Sequence, residues 1–243
     1  MTKFINPRLF SQKNHLGSPS QDYHDYFIVD GRHIGDYEGM YQNTPDPWNI
    51  EQLGVRLDME AALLLLKKLP FKPQRVLDAG AGSGFMSSLI FPLLLDLNPS
   101  LHYTLNDISD TALHLANTRF QNQFPDLSNN YSQKALDLRE LKPQSLPWAE
   151  GSFDLIILCQ VLWGILENLE QTLEAFFSLL RSPGCLLISQ HFPGKANQSY
   201  GAERVSGPQD LSQILMALGF TFLNSLATDQ EINHHWASLW IRV

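Results

Sequence analysis

The residues best suited to chemistry sit where apolar runs end. Val76-Leu77-Asp78-Ala79 leads into Gly80-Ala81-Gly82-Ser83-Gly84, and Phe85 opens an apolar, helix-like segment. That order reads as a strand, a tight turn and a helix N-terminus. Glycine admits positive φ and lets a ligand lie against the backbone. The third glycine falls one position too early for a dinucleotide fingerprint, and the Gly-Lys-Ser/Thr of a phosphate-binding P-loop is absent. Asp107 ends a second apolar run. A carboxylate there can accept hydrogen bonds from both hydroxyls of a ribose, although capping the next helix is an equally ordinary use. Asp137 follows a weaker third run, where its carboxylate or the adjoining backbone could meet an exocyclic amine such as adenine N6. Cys159-Gln160 closes the continuous apolar run that begins at Phe153.

Two residues are candidates for proton transfer. His191, in Ser189-Gln190-His191-Phe192-Pro193, follows a strand-like run. An imidazole's ordinary pKa suits a base near neutrality, with a structural loop histidine as the alternative. Tyr26 belongs to a polar, aromatic stretch with Tyr23, Tyr37, Tyr41 and Trp48. Neither a helical nor a strand period explains all of these rings. They read as packing onto the main body, or as a lid whose ring faces meet a small, cationic group. The adjacent His234 and His235 read as solvent-facing loop residues, because zinc motifs use fixed, separated spacings. No convincing metal-ligand set appears.

These residues need a scaffold. From position 75 the pattern alternates: strands over 75–79, 101–106, 131–136, 153–159 and 185–189, with helices over 85–96, 111–120, 166–180 and 208–218. Pro92 should kink the first helix. Two final strands are expected over 220–226 and 236–243. Such alternation predicts an α/β fold with a mostly parallel sheet, covered on both faces, whose ligands bind at the carboxyl ends of the strands. Upstream, residues 1–22 read as loop. Residues 50–69 read as one helix, with Leu53, Leu57, Ala61, Leu64 and Leu65 on one face and Pro70 and Pro73 closing it. The chain therefore divides into an N-terminal lid and helix, 1–70, and a ligand-binding domain, 71–243.

Composition narrows the partners. A 44% hydrophobic content supports a real core, and a net charge of −8 without a Lys/Arg cluster argues against a nucleic-acid partner. No apolar stretch reaches membrane-spanning length, and the N-terminus lacks a signal-peptide core. Two cysteines in apolar runs, Cys159 and Cys185, fit buried thiols and a cytoplasmic location.

Taken together, these pieces resemble the class I S-adenosylmethionine-dependent methyltransferases. Val76–Gly84 looks like their glycine-rich first motif, and Leu105-Asn106-Asp107-Ile108-Ser109 like their ribose-binding strand end. The stretches around Ala135-Leu136-Asp137 and Gly151-Ser152-Phe153-Asp154 are similar to the adenine-contacting turn and fourth strand. The resemblance spans about residues 73–243. It implies a Rossmann-like, seven-stranded sheet with an antiparallel last strand. It also implies S-adenosylmethionine as cofactor, with Asp78, Gly80, Gly82, Asp107, Ile108, Asp137, Leu138, Cys159 and Gln160 around it. Tyr23, Trp48 and Arg56 would come from the lid, Arg56 facing the methionine carboxylate. The usual Glu-His after the fourth strand is replaced by Trp163-Gly164. The activity implied is methyl transfer to a small-molecule N or O acceptor, with His191 and Tyr26 as catalytic candidates. The alternative is an enzyme that uses S-adenosylmethionine as sole substrate and cyclises it, releasing methylthioadenosine.

Overall fold

The computed structural model describes residues 22–29, 32–193, 200–201, 203–230 and 233–243. The stretch 1–21 lies outside the described residues. Short elements come first: α1 (His24–Phe27), a ribbon of β1 (Ile28–Val29) and β2 (Arg32–His33), α2 (Tyr37–Asn43), α3 (Ile50–Leu53) and α4 (Leu57–Leu66). The alternating body follows as β3 (Arg75–Ala79), α5 (Phe85–Leu97), β4 (His102–Asp107), α6 (Asp110–Gln123), β5 (Tyr131–Ala135) and β6 (Phe153–Cys159). It ends with α7 (Leu162–Ile165), α8 (Leu169–Leu179), β7 (Leu180–Pro193), α9 (Pro208–Ala217), β8 (Thr221–Gln230) and β9 (Asn233–Arg242). Among the described residues no helix is long and apolar enough to cross a membrane.

Seven strands form one sheet in the order β5-β4-β3-β6-β7-β9-β8. The first five of these pair in parallel, and β9 runs antiparallel to both β7 and β8. This is the seven-stranded α/β sheet with an antiparallel last strand that the resemblance implied. Chain order reverses between β3 and β6, so a crevice opens at their carboxyl ends. The alternation of side chains along β6 shows why the run is apolar throughout. Leu155 and Ile157 pack with α5 and α6 on one face, while Ile156 and Leu158 pack with α8 on the other. A strand buried on both faces has no polar positions to alternate with.

Four expectations need correction. The helix over 50–69 is two helices. Gly54, at φ 67, ends α3 after one turn, and extended Arg56 starts α4. Leu53, Leu57 and Leu64 are consequently exposed, while Ala61, Ala62, Leu65 and Leu66 pack with Leu187, Ala237 and Leu239 of the sheet. Thus α4 covers the sheet as part of the α/β core. The helix over 166–180 begins earlier, with α7 and a 3-10 turn before α8. The strand over 185–189 extends to Leu180–Pro193, because Leu180 pairs with Phe153 and the intervening Ser182-Pro183-Gly184 is absorbed as a bulge. Finally, β9 starts at Asn233, so His234 and His235 lie in a strand rather than a loop.

Candidate functional site

A cavity of about 680 Å³ lies above the carboxyl ends of β3, β4 and β6, roofed by the N-terminal segment. That volume is within the usual range for a small-molecule site. Its floor is the glycine loop. Gly80 and Ala81 donate their backbone N–H groups to Asn106 O of β4, at 2.9 and 2.7 Å, which ties the loop to the neighbouring strand. Gly82 sits at φ 56, and a Cβ there would lie 2.6 Å from the Tyr41 hydroxyl. The loop is therefore a surface that only a missing side chain keeps open.

Three carboxylates stand around this floor. Asp107, 8% exposed, accepts from Gly82 N at 2.8 Å and from Ser109 N at 2.9 Å. It holds the glycine loop and the start of α6 together while lining the cavity. Burial raises its pKa against those backbone donors. Asp78 lies deeper, and the hydroxyls of Ser87 and Tyr103 both donate to its Oδ2, at 2.7 and 2.6 Å. Burial outweighs these donors, and its pKa is pushed up to about 6. Asp137 caps the turn Leu138–Glu140, and its carboxylate accepts from Arg139 N at 2.9 Å and from the Arg139 guanidinium at 2.7 to 3.0 Å. Much of its acceptor capacity is occupied by Arg139. Buried Leu138 and exposed Ile108 complete this rim.

At the end of β6, Gln160 adopts φ 59, a left-handed conformation unusual for a residue with a side chain. Such strain concentrates at functional sites. Its Oε1 accepts from His191 N at 3.0 Å, and its Nε2 faces Asp58 Oδ2 at 3.5 Å. Neighbouring Cys159 has its thiol pKa raised well above normal by burial and by Asp78 and Asp58, so it stays a neutral thiol.

Beyond Gln160 is a cluster the sequence did not reveal. His191 of β7 and His235 of β9 are cross-strand partners, with ring centroids 4.7 Å apart, and both line the cavity. Asp58, from the first turn of α4, reaches the same end of the cavity, its Oδ2 3.9 Å from His235 Nδ1. Arg56 donates Nε and Nη2 to the two Asp58 oxygens at 3.0 and 2.8 Å. Burial works against the Asp58 carboxylate, but the Arg56 hydrogen bonds and charge win and hold its pKa below normal. Arg56 lines the cavity with Nε and Nη2 already turned to Asp58.

The roof is latched to the floor. Glu38 of α2 accepts from Ser109 Oγ and Thr111 Oγ1, both at 2.6 Å, and from Thr111 N at 3.1 Å. These contacts cap α6 from outside the body and hold the Glu38 pKa down to about 2. Behind Glu38, Met40 and Tyr41 are buried with Tyr23, Tyr26, Tyr37 and Trp48 around them. Tyr23, Tyr37, Tyr41 and Trp48 face the cavity, whereas Tyr26 packs within the aromatic cluster and is not part of the cavity wall. That placement removes Tyr26 from contact with a ligand in this cavity. His191, Asp78, Gly80, Gly82, Asp107, Ile108, Asp137, Leu138, Cys159, Gln160, Tyr23, Trp48 and Arg56 all share one wall system. Sequence reasoning missed Asp58, Glu38 and His235. Their only signal was an acid or imidazole of unremarkable spacing.

Comparison with known proteins accords with this geometry. Residues 77–186 match a family described as a methyltransferase domain. The structure of the Burkholderia thailandensis 1,6-didemethyltoxoflavin-N1-methyltransferase, with bound 1,6-didemethyltoxoflavin and S-adenosylhomocysteine, superposes with a TM-score of 0.63 and 19% identity, over 86% of each chain. The N-methyltransferase NodS from Bradyrhizobium japonicum, in complex with S-adenosylhomocysteine, superposes with a TM-score of 0.60 and 18% identity, over 81% of this chain and 92% of that one. Among curated sequences, the highly reducing polyketide synthase azaB of Aspergillus niger is 34% identical over 122 residues, 48% of this chain and 5% of the synthase. The curated relatives matched are much larger proteins, of which this chain spans 3 to 5%.

Proposed function

We propose, from the methyltransferase-domain match over residues 77–186 and the fold shared with S-adenosylmethionine-dependent methyltransferases, that the chain transfers a methyl group from S-adenosylmethionine to a small-molecule N or O acceptor. The observation that carries this reading is the placement of Asp107. It stands buried at the end of β4, bonded to a glycine loop that a Cβ would fill, inside a cavity lined also by the imidazoles of His24, His191 and His235. Asp107 would hold the ribose hydroxyls, the Asp137–Leu138 turn the adenine edge, and Gly80 and Gly82 the approach of the ligand's backbone-facing side. When bound, S-adenosylmethionine supplies a methyl group already activated by its sulfonium. The chain's own task is to hold the acceptor in line with that carbon, exclude water and receive a proton. The roof of Tyr23, Tyr37, Tyr41 and Trp48 does the excluding, and its ring faces suit a cation.

A small acceptor is favoured by the roofed cavity and by a net charge of −8, which opposes nucleic acid. The relatives' names also concern small molecules, a toxoflavin precursor and polyketides. Two free cysteines, Cys185 buried and Cys159 half-buried, suit a reducing, cytoplasmic setting. Calorimetry with S-adenosylhomocysteine tests the ligand. Binding to the wild type, weakened at least 100-fold by Asp107→Ala, is expected, because two charge-assisted hydrogen bonds contribute about 3 kcal/mol or more. Equal affinity would refute the role of Asp107. Incubation with S-adenosylmethionine alone tests the reaction. Methylthioadenosine release without an acceptor would replace methyl transfer with cyclisation.

A further inference from the structure

We propose that His235, paired with Asp58, is the group that takes the acceptor's proton, in place of His191. The inference rests on the methyl-transfer reading and assigns its acceptor end. Strand β9 sets His235 beside His191 in the cavity wall, and α4 sets Asp58 behind His235 at 3.9 Å from Nδ1. Two imidazole nitrogens there, His235 Nδ1 and His191 Nε2, are shut off from solvent and have no hydrogen-bond partner among the described residues. A buried, unsatisfied ring nitrogen calls for an explanation. For His235 the carboxylate supplies it. With the proton on Nδ1, the N–H can serve Asp58 once the 3.9 Å separation closes by roughly 1 Å. The lone pair then sits on Nε2, and the 22% of the side chain that remains exposed faces the cavity.

The two imidazoles lie tilted against each other, and Asp58 stands behind His235. The charged and titratable groups facing His235 are Asp58 from α4, Arg56 just before it and His191 from β7. Burial lowers the His235 pKa most, Asp58 raises it, and His191 and Arg56 lower it, with a net fall below 6.5. The ring is therefore neutral and receptive at pH 7. In the step itself the acceptor's lone pair bonds to the methyl carbon as the carbon–sulfur bond breaks, and the bonding pair stays on sulfur. The proton on the acceptor atom goes to His235 Nε2, and the imidazolium formed is paired with Asp58. This restricts the acceptor to nucleophiles that carry a proton on the reacting atom, as hydroxyls and N–H groups do.

The test is nitrogen-15 NMR of the imidazole side chains in the full chain, with and without S-adenosylhomocysteine. At pH 8 His235 should carry its proton on Nδ1, and its titration midpoint should lie below 6.5. Asp58→Asn should lower that midpoint by about one pH unit, the usual effect of losing a nearby opposite charge. A proton on Nε2 in the wild type, or a midpoint unmoved in the variant, would overturn the proposal. If Asp58→Asn fails to fold, the wild-type tautomer decides alone. With any acceptor that the wild type methylates, His235→Asn should cut adenosylhomocysteine formation by about 10²- to 10⁴-fold, the range for a lost general base. Unchanged turnover would equally overturn the assignment. Failure of the wild type to bind S-adenosylhomocysteine would instead remove the methyl-transfer reading, and the His235 tautomer would still be readable.

Discussion

Asp78→Asn should make the ligand-free protein more stable at neutral pH while weakening its hold on the ligand. Asp78 is 4% exposed, and burial is the largest influence on it, carrying its pKa from 3.8 to about 6 in spite of the Ser87 and Tyr103 hydroxyls. A carboxyl whose folded pKa exceeds its unfolded value stabilises fully below the unfolded value, and that contribution is lost as pH rises through the folded one. Here the window runs from pH 3.8 to about 6. At 1.36 kcal/mol per tenfold, the ionised group costs about 3 kcal/mol above it. Asparagine keeps a carbonyl oxygen for the two hydroxyls, at 2.7 and 2.6 Å in the wild type, and never ionises. Urea unfolding of the ligand-free proteins should therefore coincide near pH 4 and diverge to about 3 kcal/mol in favour of the variant above pH 7. S-adenosylmethionine is cationic at sulfur and at its amino group, so losing this anion should weaken its binding about 10-fold or more. Parallel pH profiles for the two proteins would refute the reasoning, because they would mean that Asp78 ionises without cost in the folded state.

Two further perturbations address the roof and the floor. Glu38→Ala should release α2 and speed dissociation of S-adenosylhomocysteine about 10-fold, roughly the effect of losing one charge-assisted hydrogen bond. The wild type should show the same loosening in acid. Hydrogen bonds from Ser109 and Thr111 hold Glu38 down to about 2, so its contribution is present above pH 4.5 and lost as pH falls towards 2. Stopped-flow dissociation across that range reads it. Gly82→Ala should destabilise by about 1–3 kcal/mol, because a side chain is strained at φ 56 and its Cβ would meet the Tyr41 hydroxyl at 2.6 Å. Adding Tyr41→Phe should recover part of the loss, and strict additivity in the double-mutant cycle would show that the two sites do not touch.

The half of the site built from strand ends was legible because its logic is local. An apolar run followed by an acid or glycines marks the carboxyl end of a buried strand, as Asp78 and Asp107 do. The missed residues obey long-range logic. His235 reads as a loop residue because Asn233-His234-His235 is polar, yet ladder pairing with Pro193, Phe192 and His191 extends β9 through it. Asp58 carries no signal in the sequence, being one acid inside the run expected as a single helix over 50–69; it is buried with both carboxylate oxygens bonded by Arg56, two residues earlier. The leucine spacing over 50–69 hid a helix break because Gly54 interrupts the backbone without interrupting the apolar period. Glu38 bonds to residues more than seventy positions away, a partnership with no periodic signature.

The two halves also differ in where the chain's relatives bear on them. The methyltransferase-domain match covers residues 77–186, which includes the glycine loop, Asp107, Asp137 and Gln160. Asp58, His191 and His235 all fall outside it, as do Tyr37 and the rest of the roof. On the proposed function, the shared segment would hold S-adenosylmethionine, and the flanking segments, α2, α4 and β9, would bring groups to the acceptor. They converge only because β9 inserts antiparallel between β7 and β8 and α4 packs across it. This division has a physical consequence. Substitutions at Tyr37, Asp58 or His235 change the cavity wall and leave the hydrogen bonds of Asp107 untouched. Substitutions at Asp107 or Gly82 change the floor and leave the two imidazoles in place. Acceptor choice can thus vary through the flanks while the central motif stays constant.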